Sequence, residues 1–432
     1  MSAYSAMDTQ ALKKLHAKLL EDLKDHQRNQ LSLDLSRGKP AADQLDLSQG
    51  LNDVINKTNS PYLTRNGSDV RNYGVLEGIE EARALGAMIM DCSSEQVICW
   101  NNSSLTLMNI VIDIAYGLGL WGDHRKWSTN SRPKMLTPVP GYDRHFTLTE
   151  RVGLAMVNVS MDDNGPNMEE IRALVANDSS VKGIWCIPRF SNPTGCTYST
   201  ACVEFMAELP NIAAADDFVV LWDNAYAMHG LTFPMESLSP ILQIAKKYKT
   251  VDHIVSFAST SKITYPGAGI AFMASGPTLL KEVTKYLSTL SIGPDKLNQL
   301  RHALFLEDRL EEHMKEHALL LKPKFELVTN ILEEELGQFD IAKWTKPKGG
   351  YFISLDTIPG IAKQVGSLAN SAGLTITPPG ATFPYGYDPN DCNLRIAPTY
   401  AEIDELESAV KLLSLCIKLA AVEKKLGTVP NE

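Results

Sequence analysis

The distribution of apolar positions along the chain predicts strands and helices in alternation. Short apolar runs bounded by turn-forming residues recur between positions 96 and 274, and such runs are typical of strands that are buried on both faces. The predicted strands are 96–100, 134–138, 154–159, 181–187, 218–223, 253–258 and 269–274. Helical periodicity separates most of them, at 104–119, 168–176, 200–209 and 238–248. The pattern therefore predicts an α/β fold with a mostly parallel central sheet that helices cover on both faces.

The two ends of the chain have different patterns. Leucines at positions 12, 15, 19, 20 and 23 predict an amphipathic N-terminal helix that packs on another element. Residues 295–336 form one long helical pattern, a connector whose only clear interruption is Pro323. Strands at 350–355 and 393–397, with helices at 361–372 and 401–425, then predict a small α+β domain. We expect an N-terminal helix and arm at 1–65 that packs with the small domain, a large domain at 66–320 and the small domain at 321–432.

Composition and charge narrow the class of protein. The length of 432 residues suits two domains, and 44% hydrophobic with 21% charged residues is typical of globular chains. The 41 basic against 51 acidic residues give a net charge of −10, which argues against binding to nucleic acid or to an anionic membrane. The seven cysteines form no C-x-x-C pair, so neither a disulfide framework nor a metal site is expected. With no signal-peptide core and no apolar segment of membrane-spanning length, the chain is expected to be soluble and cytoplasmic.

Polar residues follow three of the predicted strands at their carboxyl ends, where sheets of this kind bind ligands. They are Asn192-Pro193 after the strand at 181–187, Asp223 and Tyr226 after the strand at 218–223, and Ser259 and Lys262 after the strand at 253–258. Each motif alone fits an ordinary turn or helix start. The nucleotide-binding pattern G-x-x-x-x-G-K-[ST] is absent.

In this order and at these separations, the motifs resemble those of the pyridoxal-phosphate-dependent aminotransferases of fold type I, over nearly the whole chain. Three further segments are similar to the type Ic branch of aspartate aminotransferases: Ser36-Arg37-Gly38-Lys39-Pro40, Asn72-Tyr73-Gly74 and residues 261–269. The resemblance implies pyridoxal 5'-phosphate as cofactor, bound by the large domain, and a homodimer with shared active sites. Its substrates would be small amino acids and 2-oxo acids.

The resemblance also assigns the catalytic roles. Lys262 would bond to the cofactor and act as the general base that moves the α-proton of the substrate. Asp223 would keep the nitrogen of the cofactor ring protonated, with His145 as its partner. Tyr142 would stack on the ring face.

Other residues would hold the cofactor ring and its phosphate. Asn192 and Tyr226 match the family's donors to the ring oxygen, and the Asn192-Pro193 and Val139-Pro140 bonds are expected to be cis, as in relatives. The phosphate ligands implied are Ser103, Ser104 and Ser259, with Tyr73 reaching across from the other subunit. Many relatives have an arginine eight residues after the lysine, where this chain has Ile270. Lys296 is the predicted substitute for this missing cation.

The substrate would be held by its carboxylates. Arg395 matches the arginine that binds the α-carboxylate bidentately, next to Asn192, and Gly38 would allow the N-terminal segment to approach the substrate closely. Arg144 is predicted to pair with the second carboxylate of a dicarboxylic substrate, and Arg37, Lys39 or Lys348 could serve instead.

The leading prediction is an aminotransferase that acts on aspartate and 2-oxoglutarate. The cofactor and α-carboxylate motifs discriminate poorly between amino acids, so an aromatic amino acid or kynurenine aminotransferase, or a C–S β-lyase, stays open. A transcriptional regulator built on the aminotransferase fold is disfavoured, because only about thirty residues precede Leu33, fewer than a DNA-binding domain and its linker need.

Overall fold

A computed structural model describes residues 7–28 and 32–427 of the chain. The strands are β1 Leu33–Asp34, β2 Val97–Trp100, β3 Lys134–Val139, β4 Ala155–Asp162, β5 Gly165–Pro166, β6 Val181–Cys186, β7 Val219–Asp223, β8 Ile254–Ser259, β9 Ala271–Ala274, β10 Ala342–Trp344, β11 Ile353–Thr357, β12 Leu374–Thr375 and β13 Asn393–Ile396. The helices are α1 Thr9–Arg28, α2 Ala42–Asp46, α3 Glu80–Met90, α4 Ser104–Gly117, α5 Asp143–Arg151, α6 Met168–Val175, α7 Thr200–Ile212, α8 Ile241–Tyr248, α9 Pro277–Leu290, α10 Lys296–Leu306, α11 Leu310–Leu336, α12 Ala362–Ser371 and α13 Ile403–Leu426.

The central sheet has eight strands in the order β2-β9-β8-β7-β6-β3-β4-β5. The pairs from β8 through β7, β6 and β3 to β4 are parallel, whereas β9 runs antiparallel to β8 and to β2. Every residue of β6 and β7 is buried, because helices cover both faces of a parallel sheet. The mostly parallel α/β sheet predicted from the sequence is confirmed.

A second hydrophobic core lies around α13. The antiparallel sheet β10-β11-β13 and the parallel pair β1-β12 belong to it. Leu12, Leu19 and Leu23 bury the apolar face of α1 in this core. The predicted amphipathic helix thus packs on the C-terminal part of the chain.

The connector differs from its prediction. It consists of two helices, α10 and α11, which are separated at residues 307–309, and Pro323 lies inside α11 without ending it. Proline removes the hydrogen bond to the carbonyl four residues earlier, here that of Leu319. Leu319 and Pro323 are both exposed, so this turn of α11 lies on the solvent side of the helix, where water can replace the lost donor. The prediction that Pro323 interrupts the helix was therefore wrong.

Candidate active site

A cavity of about 240 Å³ opens at the carboxyl ends of β6, β7 and β8. It is lined by the predicted site residues Gly38, Ser103, Ser104, Tyr142, Asn192, Asp223, Tyr226, Ser259 and Lys262. The parallel strands bring these residues together because their carboxyl ends meet at one edge of the sheet.

Lys262 lies in the turn that follows β8. The N–H groups of Ile263 and Thr264 donate to the carbonyl of Thr260 at 2.9 and 2.8 Å, which shapes this turn. The Lys262 ammonium lies 5.0 Å from the centre of the Tyr226 ring. Burial lowers the pKa of Lys262, and the negative charge of Asp223 opposes this only in part. A lysine in such surroundings has a larger neutral fraction and can act as a base or nucleophile.

Asp223, at the end of β7, lines the cavity, and its carboxylate contacts a histidine. His145 Nε2 lies 2.9 Å from Asp223 Oδ2, and the His145 ring stacks on Trp185 at 4.2 Å between ring centres. Asp223 Oδ1 is buried and has no hydrogen-bond partner among the described residues. A buried carboxylate oxygen without a donor is costly, so this atom fits a ligand that brings an N–H group into the cavity.

Three more polar side chains surround the same space. Tyr142 immediately precedes α5, and its burial next to Asp223 raises the pKa of its hydroxyl to about 12. Burial also raises the pKa of Tyr226, so both tyrosines stay protonated and can donate. Asn192 Oδ1 accepts from Arg395 Nη1 at 3.4 Å, which leaves the Asn192 amide N–H groups to face the cavity. The predicted cis bonds at Asn192-Pro193 and Val139-Pro140 are confirmed, and Phe233-Pro234 is also cis.

Hydroxyl groups form one corner of the cavity. Ser103 and Ser104 lie at the start of α4, and the Ser103 side chain makes no capping hydrogen bond. Ser259 and Ser261 line the opposite side of this corner. Hydroxyls beside the first N–H groups of a 14-residue helix suit a phosphate group.

Lys296, the cation predicted to pair with the phosphate, does not lie at this corner of the cavity. Lys296 does not line the cavity: its buried Nζ donates to the carbonyls of Asn72 and Gly74, the latter at 3.0 Å. Ile270 is buried as well. The prediction that Lys296 faces the phosphate was wrong, because the loop at 72–74 already satisfies its ammonium. Among the described residues that line the cavity, Lys262 alone has a basic side chain.

Arg395 lies behind the cavity wall. Its guanidinium carbon is 4.7 Å from the centre of the Phe352 ring, and Nη1 lies 3.2 Å from Asp143 Oδ1. Gly38 packs against the edge of that ring: a Cβ atom there would lie 2.0 Å from Phe352 Cζ. The close approach predicted for Gly38 is thus made to Phe352.

The structure places Arg144 away from the cavity. Its side chain is 59% exposed, and Nε lies 3.9 Å from Asp143 Oδ2. Successive helical residues are rotated by about 100°, so a helix that buries His145 against Asp223 directs Arg144 towards solvent. The expectation that Arg144 lines the substrate site is therefore wrong for this conformation.

Tyr73 is also remote from the cavity of its own chain. Its side chain is 80% exposed, as expected for a residue that would act in a neighbouring subunit.

Several residues near the site escaped the sequence analysis. Phe352 lies in the predicted strand at 350–355 and Ser261 in the motif at 261–269, but nothing in the sequence showed that their side chains line the cavity. Behind Lys262, Tyr351 accepts from Gln44 Nε2 at 3.0 Å, and His317 Nδ1 lies 3.2 Å from the same nitrogen. These contacts join residues far apart in the chain, so no local signal could reveal them.

The chain is similar in sequence and in structure to proteins of a known family. A family model described as aspartate amino-transferase matches residues 7–429. A Mycolicibacterium smegmatis protein named as an aminotransferase is 44% identical over 405 residues, covering 93% of this chain and 94% of its own. An aspartate aminotransferase of Corynebacterium glutamicum is 39% identical over 98% of this chain and 99% of its own. The crystal structure of an aspartate transaminase from C. glutamicum superposes with a TM-score of 0.94 at 38% identity, covering 98% of this chain and 99% of its own.

Proposed function

The chain belongs to the aspartate aminotransferase family, and we propose that it transfers an amino group between aspartate and 2-oxoglutarate with pyridoxal 5'-phosphate as cofactor. The observation that carries the proposal is the cavity lined by both Lys262 and Asp223, together with the lack of a hydrogen-bond partner at Asp223 Oδ1. A carboxylate oxygen without a donor fits the protonated nitrogen of a pyridine ring. The hydroxyl corner formed by Ser103, Ser104 and Ser259 fits the phosphate group.

In this reaction, each of these residues has a distinct role. Bound pyridoxal phosphate supplies a carbon that takes up the amino group and a ring that draws off the electron pair of the breaking C–H bond. Lys262, whose pKa burial lowers, removes the α-proton of the amino acid and returns it one position away. Asp223 holds the proton on the ring nitrogen, and His145 keeps that carboxylate oriented through its Oδ2 atom.

Neighbouring side chains fix the orientation of cofactor and substrate. Tyr142 covers a face of the ring, while Asn192 and Tyr226 donate to the ring oxygen. Arg395 binds the α-carboxylate with its guanidinium group. In the proposed homodimer, Tyr73 completes the phosphate site of the other subunit.

The compartment is part of the proposal. All seven cysteines are free, which supports a reducing compartment such as the cytoplasm. In the described part of the chain, we find no helix with the length and apolar character of a membrane span.

The decisive experiment is replacement of Lys262. The purified protein should be yellow and form glutamate from 2-oxoglutarate when aspartate is the donor. Lys262→Ala should abolish this turnover because the base is lost, whereas the control Lys285→Ala, at an exposed helical position, should retain it. Normal turnover by Lys262→Ala would overturn the proposal.

A donor panel tests the substrate. Aspartate should be preferred over phenylalanine and kynurenine, and cystathionine should release no pyruvate. A preference for an aromatic donor would contradict the aspartate assignment while leaving the aminotransferase activity intact.

A further inference from the structure

The guanidinium of Arg395 is already engaged by groups of its own chain. Nη1 donates to Asp143 Oδ1 at 3.2 Å and to Asn192 Oδ1 at 3.4 Å, while Nε donates to Thr377 Oγ1 at 3.3 Å. Phe352 covers its face at 4.7 Å. A carboxylate that binds this guanidinium bidentately needs a hydrogen of Nη1 or Nε beside one of Nη2, so it must replace one of these partners.

Asp143 is the partner that an incoming carboxylate can replace. Asn192 and Thr377 are neutral and buried, whereas Asp143 presents the same chemical group as the α-carboxylate of an amino acid. Its side chain is 31% exposed, so its release from Arg395 leaves no isolated charge in the interior.

A second arginine, Arg144, is close enough to form an ion pair with the Asp143 carboxylate once that carboxylate has left Arg395. Arg144 Nε lies 3.9 Å from Asp143 Oδ2, and Arg144 is itself largely exposed. A rotation of the Asp143 side chain towards Arg144 would free Nη1 without a shift of α5, because both residues lie in the first turn of this helix.

We propose that Asp143 is a built-in competitor of the substrate: its carboxylate holds Arg395 in the substrate-free enzyme and is displaced by the α-carboxylate. This inference rests on the proposed function, in which Arg395 binds that carboxylate. An internal competitor raises the apparent Kd to the intrinsic Kd divided by the fraction of molecules in which the arginine is free. Every ligand whose carboxylate binds Arg395 should therefore bind more tightly when the Asp143 carboxylate is removed.

The test measures binding of an unreactive dicarboxylate. Succinate is titrated calorimetrically into the cofactor-loaded protein, first wild type and then Asp143→Asn, which keeps the size of the side chain and removes its charge. The Kd for succinate should fall about three- to fivefold in Asp143→Asn, the effect of losing a partly exposed ion pair. Asp143→Ser should give the same direction, which guards against a local effect of asparagine.

Two controls isolate the competition. Asp113→Asn removes the partner of Arg151, at the other end of α5, where Nη2 and Oδ1 lie 2.6 Å apart. This control should leave the Kd unchanged. In an Arg395→Met background, the Asp143→Asn substitution should no longer alter succinate binding, because the group for which both carboxylates compete is gone.

Two other outcomes for the Kd of succinate would contradict the inference. Weaker binding to Asp143→Asn would show that Asp143 orients Arg395 for the substrate, and an unchanged Kd would show that the ion pair does not compete; either overturns the inference. Aspartate turnover on the same preparations separates these results from a failure of the proposed function. If wild type neither binds succinate nor transaminates aspartate, both are wrong.

Discussion

Because Gly38 has no Cβ atom, the N-terminal arm can pack closely against the substrate site. A Cβ there would lie 2.0 Å from Phe352 Cζ, and Phe352 in turn supports the guanidinium of Arg395. Gly38→Ala should therefore displace the Phe352 ring and raise the KM for aspartate and 2-oxoglutarate about tenfold or more, a typical loss for a disturbed positioning contact. Steady-state kinetics at varied substrate concentration measure this effect.

Gly117→Ala is the matched control, since a Cβ atom at Gly117 would meet nothing within 4 Å. Its kinetics should equal those of wild type. An unchanged KM in Gly38→Ala would mean that Phe352 does not support Arg395 during binding.

Also at the residue scale, the sequence alone was enough to locate those site residues that belong to a local sequence motif. Lys262, Asp223 and Asn192 follow predicted strands, so the strand order brought them to one cavity as expected. Lys296 was misplaced because the direction of its side chain depends on partners distant in sequence, and Arg144 was misplaced because the contact of His145 with Asp223 sets which face of α5 is buried. For Lys296 those partners are two backbone carbonyls, which have no signature in the amino-acid sequence.

At the scale of elements, α11 supports the turn that carries Lys262 through two buried histidines. His313 Nε2 and His317 Nε2 lie 2.7 and 3.0 Å from the carbonyl of Ile263. Burial lowers the pKa of His317 from 6.5 to about 4. The unfolded chain therefore binds a proton between pH 6.5 and 4 that the folded chain does not, so this part of the stability is present above pH 6.5 and is lost as the pH falls towards 4.

The His317→Gln variant tests this linkage. From pH 7 to pH 5, titration of His317 should account for about 2 kcal/mol of the decrease in the free energy of unfolding. Urea unfolding at the two pH values should accordingly show a smaller decrease in His317→Gln than in wild type. His124→Gln, at an exposed position, should behave like wild type, and an identical pH dependence in all three proteins would contradict the assignment.

The elements themselves were largely predictable. Each apolar run predicted as a strand of the central sheet is a strand. Most of these strands are buried along their length, as β6 and β7 are, and continuous burial leaves a clear pattern in the sequence. The break between α10 and α11 was missed, and Pro323 was misjudged. Whether a helix tolerates proline depends on which side of it faces solvent, and this is a property of the packed molecule.

At the scale of the whole molecule, the surface around Tyr73 is suited to a second copy of the chain. Exposed apolar side chains include Tyr73 and Ile292, which are 80% and 63% exposed. Gly293 lies against Gly74, so a Cβ atom there would be 2.5 Å from the Gly74 carbonyl oxygen and the two segments form one surface. Apolar surface of this kind is typical of an interface between subunits.

The Ile292→Asp variant should accordingly sediment as a monomer and lose most of its transaminase activity, because Tyr73 of a second subunit is no longer supplied. Sedimentation velocity and activity at the same protein concentration provide the measurement. Leu319→Asp, which changes an exposed leucine on α11, should remain a fully active dimer. A fully active Ile292→Asp monomer would exclude shared active sites.

Lys296 has a consequence for how such a dimer assembles. Its ammonium ties the carbonyls on both sides of Tyr73 within one protomer, so the loop acquires its shape before any second subunit arrives. Two folded protomers would then bind through surfaces that are already ordered, so association costs little conformational entropy of the chain. The lysine that was predicted to face the phosphate thus shapes the loop that carries Tyr73, the residue proposed to enter the site of a second subunit.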